Sequence, residues 1–219
     1  MSPPRTLPPS ASVAHAGEGA KLHAPSAERN AAAISDALRE IAPETGRALE
    51  IASGTGQHVV AFAAAMPDLV WQPTEIDAAR RASIDAYAAE AGLPNLRAAM
   101  VLDATEAGWG REQAGQGLIV LVNLVHLIST PEARRIIAEA AQALAPGGRF
   151  AIYGPFLRDG QATSEGDARF HASLTAQDSA IGYKDLAEVE GWLREAGLTL
   201  HPVRQMPANN LFLVAERPG

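Results

Sequence analysis

The chain is 219 residues long, 47 % hydrophobic and 20 % charged, with no cysteine and a net charge of −7. Forty-five of its apolar residues are alanine, which leaves larger side chains for one core of ordinary size and favours a single domain. Without cysteine there is no disulfide scaffold, thiolate zinc site or thiol nucleophile, and the acidic balance argues against a nucleic-acid partner.

Residues 1–20 are rich in Pro, Ser, Ala and Gly without periodicity and read as a disordered lead ahead of a domain over 21–219. The first nine residues hold four prolines and one arginine but no apolar signal-peptide core. The most apolar run, Gly117 to Ile128, is short of the roughly 20 residues that cross a bilayer. No membrane partner and a cytoplasmic location are expected. Ser26 is placed as an N-cap for a helix carrying Ile34, Ala37, Leu38 and Ile41 on one face, ended by Pro43. Arg47 to Ala52 is a short strand running into Gly54 and Gly56, followed by a helix through Val59, Val60 and Phe62. Next come a strand from Leu69 to Thr74, a helix from Asp77 to Ala91 stopped by Gly92 and Pro94, and a strand from Leu96 to Leu102.

After a weaker helical stretch beyond Thr105, Leu118 to Val122 is a buried strand. Thr130-Pro131-Glu132 reads as an N-cap, a first-turn proline and a first-turn acid for a helix to Leu144. Arg149 to Tyr153 is a fifth strand, and residues 155–178 read as a long loop with a short helix around Phe170 to Leu174. Asp185 and Glu188 form a capping box for a helix with Leu186, Val189, Leu193 and Ala196 on one face. Thr199 to Arg204 and Leu211 to Glu216 have no helix between them and should pair antiparallel. This alternation predicts an α/β fold: a mostly parallel sheet with helices on both faces and a C-terminal antiparallel strand pair.

The segment Leu49-Glu50-Ile51-Ala52-Ser53-Gly54-Thr55-Gly56 is a strand entering a glycine turn that opens a helix. Such a turn lets a ligand approach the backbone and offers it the unpaired N–H groups of a helix start. Glu75 lies 19 residues after Gly56 at the end of the next strand, where a carboxylate can accept bonds from ribose hydroxyls. Asp103 ends the third strand, beside the place of an adenine, although the same residue also fits the N-cap of the turn after it. A dinucleotide fingerprint needs a third glycine where Val59 stands, which counts against NAD. The six histidines lack metal-ligand spacing, so no metal site is expected.

An acid followed by Gly54 and Gly56, then Glu75, then Asp103-Ala104, then a strand ending near Asn123, resembles the motif order of class I S-adenosylmethionine-dependent methyltransferases. More narrowly, six segments are similar to an uncharacterised methyltransferase-like family once filed as domain of unknown function 938. They are Ala24-Pro25-Ser26-Ala27-Glu28-Arg29-Asn30, Glu50 to His58, Trp71-Gln72-Pro73-Thr74-Glu75, Asn123-Leu124-Val125-His126, Tyr153-Gly154-Pro155-Phe156 and Met206-Pro207-Ala208-Asn209-Asn210-Leu211. Departures are Ala52 in place of the motif's first glycine, Ser164-Glu165-Gly166-Asp167 in place of Ser-Asn, and His171 in place of an acid.

The resemblance implies a Rossmann-like class I methyltransferase fold with a seven-stranded sheet, and S-adenosylmethionine as cofactor. Glu50, Ser53, Gly54, Gly56, Glu75, Asp103, Ala104 and Asn123 would contact that cofactor, with Arg29 and Asn30 covering it and Arg29 paired to its carboxylate. His126 and Tyr153 are the candidates for the chemical step, and Asn209 and Asn210 for the substrate. His126 fits a packed core histidine equally well, and Asn209-Asn210 a turn. Asn123 is followed by Leu124-Val125 and no N/D-P-P-[YF] run occurs, which argues against base amino-methylation and for a small-molecule acceptor. In-line methyl transfer depends mainly on alignment, worth roughly 7–11 kcal/mol, so no strong base is required. The other readings are a catalytically silent S-adenosylmethionine-binding protein acting through protein partners, and an NAD-dependent enzyme.

Overall fold

The computed structural model describes residues 13–219. Strands β1 (His15–Ala16) and β2 (Leu22–His23) form an antiparallel hairpin, with His15 opposite His23. The expected lead over residues 1–20 lies outside the described residues up to residue 12, and from His15 its last part is in this hairpin. Helix α1 (Pro25–Arg39) is entered from Ala24, not from Ser26, and Ala24 provides no side-chain cap. Pro25 in the first turn has its φ preset for a helix, which starts α1 earlier than the cap rule predicts. The Ala24 N–H is satisfied instead by Gln57 Oε1 at 2.6 Å.

Strand β3 (Gly46–Ile51), helix α2 (Gln57–Ala65), strand β4 (Leu69–Pro73) and helix α3 (Ala78–Ala91) follow close to expectation. Asp77 caps α3 by accepting from Arg80 N, and Gly92 closes it at φ +60°. The expected strand at Leu96–Leu102 is only partly present. It touches β4 through single parallel bridges, Trp71 to Leu96 and Thr74 to Met100, so the main chain leaves the ladder between them.

Helix α4 (Trp109–Glu112) is one turn, and β5 (Gln116–Val122) is the buried central strand. Helix α5 (Thr130–Ala143) is capped by Ser129 rather than Thr130, with Glu132 completing a reciprocal capping box. Strand β6 (Leu144–Gly154) leads to helix α6 (Glu165–Gln177), far longer than the short helix expected around Phe170. Ser164 starts α6 by accepting from Asp167 N. Helix α7 (Leu186–Glu195) is capped by Asp185, and β7 (Thr199–Leu200), β8 (Arg204–Gln205) and β9 (Leu211–Glu216) end the chain. The expected strand at Thr199–Arg204 is thus split in two.

The main sheet has seven strands in the order β4-β3-β5-β6-β9-β7, with β8 also on β9. Strands β4, β3, β5 and β6 are parallel, and β9 runs antiparallel to β6, β7 and β8. Side chains alternate along each strand, so the two faces carry separate cores. Leu49, Ile51, Ile119, Leu121, Phe150 and Ile152 meet α5 and α7. Ala48, Leu118, Val120, Ala151 and Tyr153 meet α1, α2 and Ile84 of α3. Each fully buried large apolar side chain contributes roughly 1.5–3 kcal/mol. Glu50 shares the face of Ala48, beneath α1 and α2, and the parallel strands end together at one edge. Among the described residues no helix is long and apolar enough to cross a membrane.

Candidate functional site

Beyond Ile51 the chain turns through left-handed conformations at Ala52 (φ +52°), Gly54 (φ +59°) and Gly56 (φ +95°). The two glycines are needed for different reasons. A Cβ on Gly54 would meet only Arg80 Nη1, at 3.4 Å, so the backbone there is open to a ligand. A Cβ on Gly56 would lie 2.7 Å from Ile84 Cα, so this glycine allows α3 to pack on the turn. The left-handed Ala52 is strained for a residue with a Cβ, a cost of about 1–3 kcal/mol. Thr55 ties the turn to its surroundings. Its carbonyl accepts from Ser83 Oγ at 2.7 Å, and its hydroxyl donates to Gln57 Oε1 at 3.0 Å.

Two carboxyl groups stand at the ends of the adjacent strands β3 and β4. Glu50 is 1 % exposed and its Oε2 has no hydrogen-bond partner. Burial pushes its pKa up to about 8; a hydrogen bond with Ser53 opposes this and the charge of Glu75 adds to it. Ser53 also pins the turn to β4, its N–H donating to Thr74 O at 2.8 Å. Glu75 is buried and held by three backbone N–H groups, from Gly54 at 3.0 Å, Ile76 at 2.9 Å and Asp77 at 3.2 Å. Further along the edge, Asp103 Oδ1 accepts from Thr105 N at 3.0 Å and from Thr105 Oγ1 at 2.6 Å, closing the turn. Ala104 is buried and its carbonyl accepts from Trp109 Nε1. Ile76 and Val101, neighbours of these acids in sequence, are large apolar residues left 57 % and 62 % exposed. Sequence reasoning passed over them, although an apolar residue beside an acid at a strand end is a readable signal.

At the other end of the edge, Asn123 leaves β5 with φ +55° and its N–H donates to Tyr153 O at 2.9 Å. His126 follows in a buried turn, its ring 5.8 Å from those of both Phe170 and Tyr183, edge to face. Its Nδ1 has no partner. Burial, and secondly the charge of Lys184, push its pKa down to about 3. The imidazole is therefore neutral and a weak base, suited to orienting a ligand more than to taking its proton. Lys184 is buried, with Nζ donating to Ile128 O at 2.8 Å and Gly182 O at 2.9 Å.

Helix α6 covers this end. His171 Nδ1 accepts from Tyr183 N at 3.0 Å, and Asp167 accepts from Tyr183 Oη and Asn209 Nδ2, both at 3.2 Å. Tyr153, 2 % exposed on β6, has its acidity weakened by burial, an effect that the neighbouring side chains of Asn30 and Asn210 partly offset. Asn30 Oδ1 in turn lies 2.7 Å from His58 Nε2.

The structure thus gathers Glu50, Ser53, Gly54 and Glu75 around the turn, and Asn30, Tyr153 and Asn210 in a second group. Arg29 is exposed on α1, and Asn209 faces α6 instead of joining its neighbour Asn210. His58 and Asp167 entered the sequence reading only as members of longer segments, and Tyr183 and Lys184 escaped it, because the contacts His58–Asn30, Asp167–Tyr183 and Lys184–Ile128 join segments that no spacing rule connects.

A family model described as protein of unknown function (DUF938) matches residues 21–217. Among solved structures, an O-methyltransferase family protein from Burkholderia thailandensis superposes with a TM-score of 0.75 at 18 % identity, covering 88 % of this chain and 56 % of that one. A putative O-methyltransferase from Nostoc punctiforme gives 0.75 at 19 %, covering 87 % and 56 %. The mitomycin 7-O-methyltransferase MmcR gives 0.74 at 16 %, covering 88 % and 54 %. The chain spans little more than half the length of these neighbours, and at such identities the likeness shows the fold: a Rossmann-like, class I methyltransferase sheet.

Proposed function

This chain belongs to the family described as protein of unknown function (DUF938), and on that premise we propose that it is an S-adenosylmethionine-dependent methyltransferase acting on a small-molecule acceptor. The observation that carries the reading is the buried, unpartnered Oε2 of Glu50 beside the left-handed turn. A buried polar atom without a partner costs about 1–3 kcal/mol, so its presence supports a ligand that brings the missing donor. A cationic sulfonium and ammonium group beside Glu50 would draw its buried carboxyl toward the ionised form, whereas a pyrophosphate would oppose that ionisation. This linkage favours a cationic ligand over a dinucleotide.

S-Adenosylmethionine, when bound, supplies an electrophilic methyl group on its sulfonium. Glu50, Ser53, the open backbone at Gly54 and Asn123 would hold the methionyl end, with Arg29 and Asn30 covering it from α1. Glu75 would take the ribose. A carboxylate accepts about four hydrogen bonds and Glu75 already has three, so one further donor fits without displacing an amide. Asp103, Ala104 and the exposed Ile76 would line the base. Gly56 serves by keeping α3 against the turn. On the acceptor side, neutral His126 and Tyr153, with Asn209 and Asn210, would orient the nucleophile. The residues act by alignment, worth roughly 7–11 kcal/mol, and none has to remove a proton. The net charge of −7 supports a small acceptor over a nucleic acid.

Calorimetric titration of the purified protein tests the reading. Heat with S-adenosylmethionine and none with NAD is expected, and no heat with S-adenosylmethionine overturns it. Binding without turnover across an acceptor panel would instead assign a cofactor-binding protein that works through partners.

A further inference from the structure

From His15 to Ala24 no residue is buried, and none enters either sheet core. This strap is held to the domain by contacts of β2 and its flanks. The Leu22 N–H donates to Ser83 Oγ at 2.8 Å, and the Ala24 N–H donates to Gln57 Oε1 at 2.6 Å. Lys21 pairs with Glu90 of α3 and places Nζ 5.3 Å from the centre of the Tyr87 ring. A segment held by so few contacts opens locally at far lower cost than the sheet.

Both main-chain bonds of the strap end on groups that also hold Thr55. Ser83 is fully buried, and its hydroxyl donates to Thr55 O at 2.7 Å. Gln57 Oε1 accepts from Thr55 Oγ1 at 3.0 Å as well as from Ala24. Thr55 stands between the left-handed Gly54 and Gly56, so the strap reaches the turn through both its carbonyl and its hydroxyl. A serine hydroxyl that donates is polarised into a better acceptor, so the Thr55 and Leu22 bonds of Ser83 reinforce each other. At its other end the strap runs directly into α1. The Ala24 carbonyl accepts from the N–H groups of Ala27 and Glu28, and His23 Nε2 lies 3.1 Å from Glu28 Oε2. Of α1 only Ala27 is buried ahead of Ile34, so the first turns of the helix can move with the strap.

We propose that residues 15–24 close over the cofactor as a strap, with Ser83 and Gln57 as the positioning residues that couple it to the glycine turn. A ligand that orders the turn steadies Thr55, and through Thr55 the two strap amides. The strap then seats the start of α1, with Arg29 and Asn30, over that ligand. Only the closed state makes these last contacts, which is the differential interaction that a coupled closure requires. Linkage makes the effect reciprocal: the closed strap tightens the ligand by the factor by which the ligand closes the strap. The identity of the ligand rests on the methyltransferase reading, whereas the coupling of strap to turn is a property of the chain itself.

Lys21→Ala in the intact chain tests the coupling, because Lys21 fastens the strap to α3 and not to the turn. Amide hydrogen exchange by nuclear magnetic resonance should show Leu22 and Ala24 exchanging about fivefold faster than in the parent, as expected for losing a surface ion pair and a cation–π contact. Ser83→Ala should free the Leu22 amide and Gln57→Leu the Ala24 amide. Added S-adenosylmethionine should slow exchange at both amides in the parent, and stopped-flow displacement should show it leaving Lys21→Ala severalfold faster. Binding that leaves Leu22 and Ala24 unprotected overturns the proposal, as does an unchanged dissociation rate from Lys21→Ala. Exchange at Gly56, whose N–H donates to Ser53 O across the turn, reads the coupling without any ligand and should also quicken in Lys21→Ala. An unmoved Gly56 amide overturns the coupling even where S-adenosylmethionine fails to bind, and that failure by itself overturns only the functional reading.

Discussion

The two ends of the site are held by different kinds of bond. At the glycine-turn end, Glu75 is fixed by three main-chain N–H groups, and the strands behind it are paired in register. At the His126 end, α6 is attached by side chains: His171 to the Tyr183 N–H, Asp167 to Tyr183 and Asn209, and a cluster of rings. Of the thirteen residues of α6 only Leu174 is buried. Paired strands survive most substitutions and open only as a sheet, whereas a helix held by a few side chains opens locally at little cost. On the proposed reading, the first end suits one unvarying ligand, and the second can be reshaped for a different acceptor without disturbing the first.

The largest expected effect comes from breaking the first end. Gly56→Ala sets a Cβ 2.7 Å from Ile84 Cα at a φ of +95°, combining overpacking with backbone strain. We expect a loss of roughly 2–5 kcal/mol in urea unfolding, together with cofactor binding. A Gly56→Ala protein as stable as the parent would mean that α3 does not depend on the turn. Glu75→Ala comes next. It removes the acceptor of three N–H groups, and S-adenosylmethionine should bind at least about tenfold more weakly by calorimetry. Unchanged affinity would place the ribose contact elsewhere.

Titration separates Glu50 from His126 and His58, because the two kinds of group shift in opposite directions. The pKa of Glu50 is raised from 4.5 to about 8, so its contribution to stability is complete at acid pH and is lost as pH rises through that interval. Those of His126 and His58 are lowered from 6.5 to about 3 and about 4, so their contribution is present above 6.5 and is lost as pH falls. Thermal melts across pH should show Glu50→Gln flattening the alkaline limb and His126→Leu the acid limb. A Glu50→Gln profile parallel to that of the parent would show that Glu50 is ionised in the folded protein.

The same contrast governs what could be read from the sequence. β3 and β4 were legible because an apolar run ending in glycine, or beside a proline, fixes a strand locally. Glu50, Gly54 and Glu75 were legible for the same reason, since the motif spacing is a property of consecutive strands and turns. The Leu96–Leu102 strand was overread: its apolar residues line the irregular edge of β4, and only two isolated bridges form. Helix α6 was underread because a helix with one buried residue has almost no periodicity to show, and its start lay in the Ser164–Asp167 cap. The His58–Asn30 bond spans 28 residues between helices whose packing no local rule predicts. Ser26 and Thr130 show the finer limit, since first-turn prolines at Pro25 and Pro131 moved each helix start back by one residue or more.

The smallest global effect, and the sharpest test of the contrast, belongs to Leu174→Ala. An ordinary buried leucine-to-alanine change costs about 2–5 kcal/mol of global stability, because the cavity persists until the whole domain unfolds. Leu174 instead packs in a satellite cluster with Leu127, Ile181 and Tyr183, apart from both sheet cores. If α6 opens on its own, the truncation should act mainly on that opening and leave the unfolding of the sheet nearly unchanged. Hydrogen exchange should then quicken across residues 165–182, while the main-chain amides at Gly54, Ile76 and Asp77 keep their protection and S-adenosylmethionine affinity stays within about twofold. Faster exchange at those three amides, in step with α6, would show that the two ends open as one unit and that the acceptor end cannot be remodelled independently.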